Sequence, residues 1–306
     1  NGGGNLLELD QETTSRAVFV NLGYGVTDSL RISGGVRYTK DEKEATANVG
    51  IGPFTSEDDW NELSFELSAS YTLDNGLTLY SSVQSGYQSG QFPARPFCLF
   101  GNPECFVASD NITAVNYEVG LKGQVTDNFS MSVAVFNTEY KDLPYQVSTT
   151  SEGGFDTSNL VVEQTSRGIE WESTLYFSDN FKVHTSLGYM DVDVTEQNGV
   201  KPVAPLTPDL TASISPSYKF ELAGGASINT RIDYSFRSDM YGEPSSDPGR
   251  LTEIDSRKLV NFNMTYTPAD GNWKVALYGK NIFDERYDNA RLNTGDYILR
   301  VLSNDA

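Results

Sequence analysis

Residues 87–95 bring together Tyr87, Gln88, Gln91, Phe92 and Arg95: two rings, two carboxamides and a guanidinium. That combination suits an anionic chelate, because the guanidinium offers forked donors to oxygen ligands while rings stack on flat or cationic groups. The alternative is that these residues only order the start of a loop. Just beyond them, Cys98 and Cys105 flank Gly101-Asn102-Pro103, a turn sequence able to bring the two thiols together. Their spacing fits neither a zinc knuckle nor a CxxC redox pair. A disulfide closed within one loop, in an oxidising compartment, is the preferred reading and is worth ~2.5 kcal/mol in the chain-entropy model. Two free thiols are the alternative.

Other chemistry is sparse. His184 is the only histidine. It falls on a polar strand face near a short turn, and without an assignable Ser and Asp it reads as a wall residue rather than a catalytic base. There is no Cys/His cluster, no Walker loop and no strand–GxGxxG–helix unit; Gly224-Gly225 belongs to a turn. Glu57-Asp58-Asp59 could hold a divalent cation, but a solvated acidic loop accounts for it. Neither enzymatic activity nor a resident metal or cofactor is expected. The 42 acidic and 22 basic residues give a formal charge of −20, which argues against a nucleic-acid partner.

The elements that must position these groups are strands. Leu63, Phe65, Leu67, Ala69, Tyr71 and Leu73 alternate with Ser64, Glu66, Ser68, Ser70 and Thr72, and the period-two pattern recurs over 210–220 and 226–237. Twelve strands are predicted, at about 17–26, 29–40, 60–73, 76–89, 114–126, 129–141, 161–178, 180–194, 209–220, 225–239, 257–267 and 272–283. Their connections alternate. Tight turns (Thr27-Asp28, Asp74-Asn75, Asp127-Asn128, Ser178-Asp179-Asn180) are interleaved with long polar segments at 41–59, 90–113, 142–160, 195–208, 240–256 and 284–296. Short turns at one edge and long loops at the other are the mark of a membrane barrel. No run reaches the ~18 apolar residues of a membrane helix, whereas a tilted spanning strand needs only ~9–11 residues.

The polar face carries Arg31, Arg37, Glu62, Glu66, Glu118, Glu170, Glu172, Arg231, Asp233 and Lys280, which predicts a wide, wet or plugged interior. Tyr24, Tyr38, Tyr71, Phe129, Phe177, Tyr218, Phe220, Tyr266 and Trp273 fall at strand ends on the apolar face, as in an aromatic girdle.

Six segments, in order, resemble the C-terminal barrel of TonB-dependent receptors: SGYQSGQFPARP (85–96), NYEVGLKG (116–123), AVFNTEYKDL (134–143), GIEWESTLYF (168–177), PLTPDLTASISPSYKF (205–220) and YGKNIFDERYD (278–288). The last matches the family's penultimate-strand signature and is the most specific. The resemblance implies that 1–306 is a partial barrel domain, equivalent to strands 10–21 of 22. The expected fold is thus an all-β, antiparallel transmembrane barrel fragment of up-and-down strands, an open curved sheet as it stands. Plug domain, TonB box and aromatic-ended closing strand have no counterpart in the sequence, and the start, Asn1-Gly2-Gly3-Gly4, shows no leader, so it is expected to be processed or missing. By the same resemblance, the implied setting is the outer membrane of a Gram-negative bacterium. Long loops would be extracellular and short turns periplasmic, with lipid, the TonB complex and a small-molecule ligand as partners. The family's default cargo is a ferric siderophore. Haem is disfavoured, since the long loops contain no histidine. A passive porin-type channel and a soluble all-β binding module are the rival readings.

Overall fold

In a computed structural model, residues 8–48, 50, 52–92, 106–151, 154–197, 199–244, 252–293 and 298–302 are described, by backbone alone at 146, 148–151 and 154–159. The strands are β1 (Glu8–Gly25), β2 (Leu30–Asn48), β3 (Pro53–Thr72), β4 (Thr78–Gln88), β5 (Ile112–Thr126) and β6 (Phe129–Ser151). They continue with β7 (Gly154–Ser178), β8 (Phe181–Val194), β9 (Leu210–Glu221), β10 (Ser227–Arg237), β11 (Met240–Tyr241) and β12 (Glu253–Ile254). The last are β13 (Arg257–Thr267), β14 (Val275–Gly279), β15 (Asp288–Asn293) and β16 (Ile298–Leu302). Twelve of them form one antiparallel sheet in sequence order, β1 to β10, then β13 and β14, and the sheet does not close on itself. A single 3-10 turn, Ala223–Gly225, is the only helical element among the described residues.

Register sorts the side chains onto two faces. Val36 of β2 lies opposite Phe65 of β3, Leu67 opposite Val83 of β4, and Val135 of β6 between Val119 of β5 and Ile169 of β7. These side chains are not buried under a second layer. Leu22, Val36, Phe65, Leu79, Val119, Val135, Ile169, Leu187, Ile214, Ile232 and Leu277 are all exposed on that face. Each large apolar side chain left in water forgoes ~1.5–3 kcal/mol, and a soluble monomer rarely shows an apolar patch of more than a few hundred Å². A face built this way requires an apolar solvent. At its short-turn end, rings meet across strands: Phe177 and Phe181 at 5.1 Å, Phe181 and Tyr218 at 6.2 Å, Tyr266 and Trp273 at 5.4 Å.

The opposite face is a ladder of paired polar groups. Ser33 meets Ser68 at 2.8 Å, Ser186 meets Ser213 at 2.8 Å, and Asp233 accepts from Ser215 at 2.5 Å and Arg231 at 2.6 Å. His184 belongs to this face, near the short-turn edge, with Nδ1 3.2 Å from the Thr174 hydroxyl.

At the short-turn edge, side chains replace missing ladder bonds: the Thr27 hydroxyl accepts from the Ser29 and Leu30 N–H groups, and the Asn75 carboxamide from Leu77. The long-loop edge departs from expectation in three places. Within 240–256, read as a loop, β11 and β12 pair, Met240 with Ile254. The segments 41–59 and 142–160, read as loops, are hairpins whose ladders persist to Asn48 opposite Pro53 and Ser151 opposite Gly154. β1 likewise begins at Glu8, well before residue 17. These stretches keep the period of two, but their buried apolar side chains are few and lie on the polar side of the sheet: Ala45 and Ala47 on β2, Tyr145 and Val147 on β6, Leu160 and Val162 on β7. In β6 the extension passes a bulge at Asp142, a non-glycine residue with φ 59°.

The final strands differ as well. β14 is short, since the backbone turns at Asn281 (φ 47°) and Asp284 (φ 52°). The Asn281 side chain substitutes for the ladder, accepting from Glu285 N–H at 3.0 Å and donating to Glu285 O at 2.9 Å. Within 284–302, expected to hold only a loop and a strandless end, β15 and β16 form a separate hairpin.

Candidate ligand site at the loop end of the wall

The pairing of β3 with β4 runs from Thr72–Thr78 up to Glu66 opposite Gln84. Above it the Phe65 N–H is taken by the Ser85 hydroxyl at 2.9 Å, and β4 is free to lean toward β2. There the Tyr87 hydroxyl donates to Asp41 Oδ2 at 2.5 Å. Asp41 is 9% exposed, and counting from the turn at Thr27 it lies beyond a ~9–11-residue span. Burial pushes its carboxyl upward. Hydrogen bonds from Ser15, Tyr87 and Ser89, with the Lys43 charge, outweigh this and hold it below the usual carboxylate value. Lys43 is buried and donates to Gly90 O at 2.6 Å and Ser89 O at 3.3 Å, its ammonium 5.4 Å from the Trp60 ring centroid. Its pKa is lowered by that burial, against the pull of Asp41.

Gly90 is where the chain can pass. A Cβ there would lie 1.8 Å from Ser109 O and 2.7 Å from the Trp60 ring. Above it, Gln91 and Ser109 clasp the two sides of the loop: Ser109 N–H donates to Gln91 O at 3.0 Å and Gln91 N–H to Ser109 Oγ at 3.1 Å. Phe92, 5% exposed, lies tilted against Phe106 with ring centroids 5.2 Å apart, and both rings pack on Ala45 and Ala47 of β2. Asn111 closes the base by donating to Glu62 at 3.0 Å.

Of the residues singled out from sequence, Gln88 and Gln91 present exposed side chains, Tyr87 is half-buried against Asp41, and Phe92 is turned into the loop base. Arg95, Cys98 and Cys105 lie outside the described residues, so the pairing of the two cysteines stands as expected from sequence alone. Sequence reasoning missed Asp41, Lys43 and Trp60. Their signal was the continued alternation Thr39, Asp41, Lys43, Ala45, Ala47 through a stretch set aside for its polar composition. Glu57-Asp58-Asp59 lies on β3, where Asp59 faces Lys40 at 3.6 Å. Among the described residues no group of three or more His, Cys, Asp or Glu could hold a metal ion.

A one-layer antiparallel wall, apolar and exposed on one side and polar on the other, is the construction of a strand-built membrane barrel. The family model described as TonB dependent receptor-like, beta-barrel, matches residues 2–282, and the chain belongs to that family. It is 25% identical over 275 residues to the ferrichrome outer membrane transporter/phage receptor of Escherichia coli K12, covering 87% of this chain and 34% of that protein. It is also 25% identical over 287 residues to the pesticin receptor of Yersinia pestis, covering 89% of this chain and 39% of that one. The chain thus spans little more than a third of these relatives' length. Among solved structures, the ferric yersiniabactin uptake receptor FyuA of Yersinia pestis superposes with a TM-score of 0.77 at 19% identity, over 97% of this chain and 45% of that one. Family and relatives are receptors and transporters, not enzymes.

Proposed function

We propose that this chain is the ligand-facing wall of an active importer of a ferric siderophore, in the outer membrane of a Gram-negative bacterium. The observation that carries the reading is the wall itself, lipid-ready on one face and polar on the other with Phe92 and Phe106 packed at a loop base, in a chain whose relatives include a ferrichrome transporter. In this reading the long loops are extracellular, the short turns periplasmic, and energy reaches the receptor from the TonB complex through its N-terminal part. Tyr87, Gln88, Gln91 and Arg95 contact the chelate, while Phe92 acts by fixing the loop that presents them.

The full-length receptor, expressed in a strain without other siderophore receptors, should restore uptake of radiolabelled iron from at least one member of a ferric siderophore panel. That uptake should vanish when TonB is deleted. Uptake that persists without TonB, or leakage of small unrelated solutes, would instead favour a passive channel.

A further inference from the structure

At the loop end of the ladder between β10 and β13, Arg237 stands directly opposite Arg257. Like charges facing one another across a strand pair are destabilising, and in a chain of net charge −20 carboxylates are plentiful. Yet among the described residues neither guanidinium has a carboxylate within ion-pair distance. Arg237 spends one donor on Asp255 O at 2.7 Å, while its Nε is buried without an acceptor. Arg257 lies 4.7 Å over the Tyr287 ring, which fixes its plane but does not neutralise it. The Asp255 carboxylate is bound by Arg291 at 2.9 Å, and Asp239, the other nearby acid, is exposed.

The same register that joins the arginines lays a polar floor beside them. Thr211 is opposite Arg237, and Ser186, Ser213 and Ser235 form the next row down the polar face. Together with the two guanidiniums they line one open recess of about 310 Å³. Two fixed cations above a row of hydroxyls match a group with paired anionic oxygens, since the guanidinium N–H groups still free and the hydroxyls can donate to them.

We infer that Arg237 and Arg257, with the Ser213 and Ser235 hydroxyls, form an oxyanion-binding site on the polar wall. This rests on the uptake reading and narrows it: the cargo carries negative charge on paired oxygens, as in a carboxylate or a catecholate. The repulsion between the arginines is retained because a bound anion relieves it.

The test uses the purified full-length receptor in detergent, with oxalate, its neutral analogue oxamide, and ferric trioxalate as probes. Oxalate should raise the melting temperature of the wild type and oxamide should not. Arg257→Gln should bind oxalate about tenfold more weakly or worse, the loss expected for a charged hydrogen bond, with Arg257→Lys intermediate. If ferric trioxalate binds more tightly than free oxalate, the site belongs to a chelate; equal binding assigns it to simple oxyanions. A wild type that ignores oxalate, or an Arg257→Gln receptor that responds as fully as wild type, overturns the site. Either result can coexist with TonB-dependent iron uptake, so failure here and failure of the uptake reading are distinguishable.

Discussion

Replacing Phe92 by Ala separates two roles that the sequence alone could not: stacking on a ligand, or holding the loop that faces it. The ring is 5% exposed, and its partner Phe106 is 4% exposed, both packed on Ala45 and Ala47. Truncating a buried Phe costs about 3–5 kcal/mol where the site cannot collapse. The Phe92–Phe106 ring contact accounts for ~0.5–1.5 kcal/mol of that. Because the cluster joins a loop to one hairpin rather than filling a closed core, the lower figure applies, about 3 kcal/mol of local opening. At 1.4 kcal/mol per tenfold, that is roughly a hundredfold loss of amide protection.

Two amides report it, Gln91 N–H on Ser109 Oγ and Ser109 N–H on Gln91 O. Hydrogen exchange on the full-length receptor, without ligand, should show both exchanging about a hundredfold faster in Phe92→Ala. Phe92→Leu should recover most of the protection, and Gln88→Ala should leave it unchanged. If Phe92→Ala exchanges like wild type at both amides while ligand affinity falls, the ring is a ligand contact and the anchoring argument is wrong.

Gly90→Ala should disturb the same loop base by steric conflict, because the new methyl meets the Ser109 carbonyl and the Trp60 ring. A cost of about 1–3 kcal/mol is expected, visible as lost protection at Ser109, and an unchanged exchange pattern would count against the packing. Val135→Lys, on the apolar face midway along the part of β6 that precedes the Asp142 bulge, should destabilise the receptor refolded in lipid vesicles by ~2–4 kcal/mol. Gln84→Lys on the polar face should stay within about 0.5 kcal/mol, and equal effects would mean the faces are misassigned. Asp288→Asn should loosen β15–β16 by about 2–3 kcal/mol, below the usual figure for a broken buried pair because Arg300 is half-exposed and screened. The Asp288 side chain is 2% exposed and accepts from Arg291 and from Arg300 at 3.0 Å. Burial raises its pKa, but those bonds and charges bring it below its ordinary 3.8. Its contribution is therefore fully present above the unfolded value and lost as pH falls through the depressed folded one. An acid titration of hairpin protection should be flat above about pH 5, with the loss coming only at lower pH.

The spanning part of the fold was legible because the solvent writes it: alternation is forced wherever one face meets lipid and the other water, so all twelve strands and their short turns could be placed. That pressure ends at the membrane edge. In Lys40–Asn48 only two small residues, Ala45 and Ala47, mark the packed side, and charged alternation such as Lys43, Glu44, Ala45 and Thr46 looks like loop composition although it lies in a ladder. Asp41 and Lys43 were invisible as site residues for a related reason. Their partners, Tyr87, Ser89 and Gly90, come from the end of β4, two places away, and the residues just past it, and meet them because β4 leaves β3 above Gln84. The left-handed Asn281 in the family signature was recognisable as a motif, but its job of bonding both the N–H and the carbonyl of Glu285 depends on a local backbone turn that no alternation encodes.

An isolated two-stranded hairpin is marginal in water, and this chain raises strands well above the membrane in two places. Both are braced the same way, from the polar side. Phe92 and Phe106 cover Ala45 and Ala47 on the first, and Val200 and Ala204 pack against Tyr145, Val147, Leu160, Val162 and Val194 on the second. The bracing residues come from the connections that follow β4 and β8, so the loops do not merely hang from the rim. They fill the polar side of the extensions with apolar contacts, and the hairpins in turn fix the bases of these connections. A binding group on such a loop loses less conformational freedom when a ligand arrives than one on a free loop would. The exposed side chains of Gln88 and Gln91 sit beside that brace, one on the last residue of β4 and one on the clasp to Ser109. Their geometry is therefore set by packing that is complete before any ligand binds.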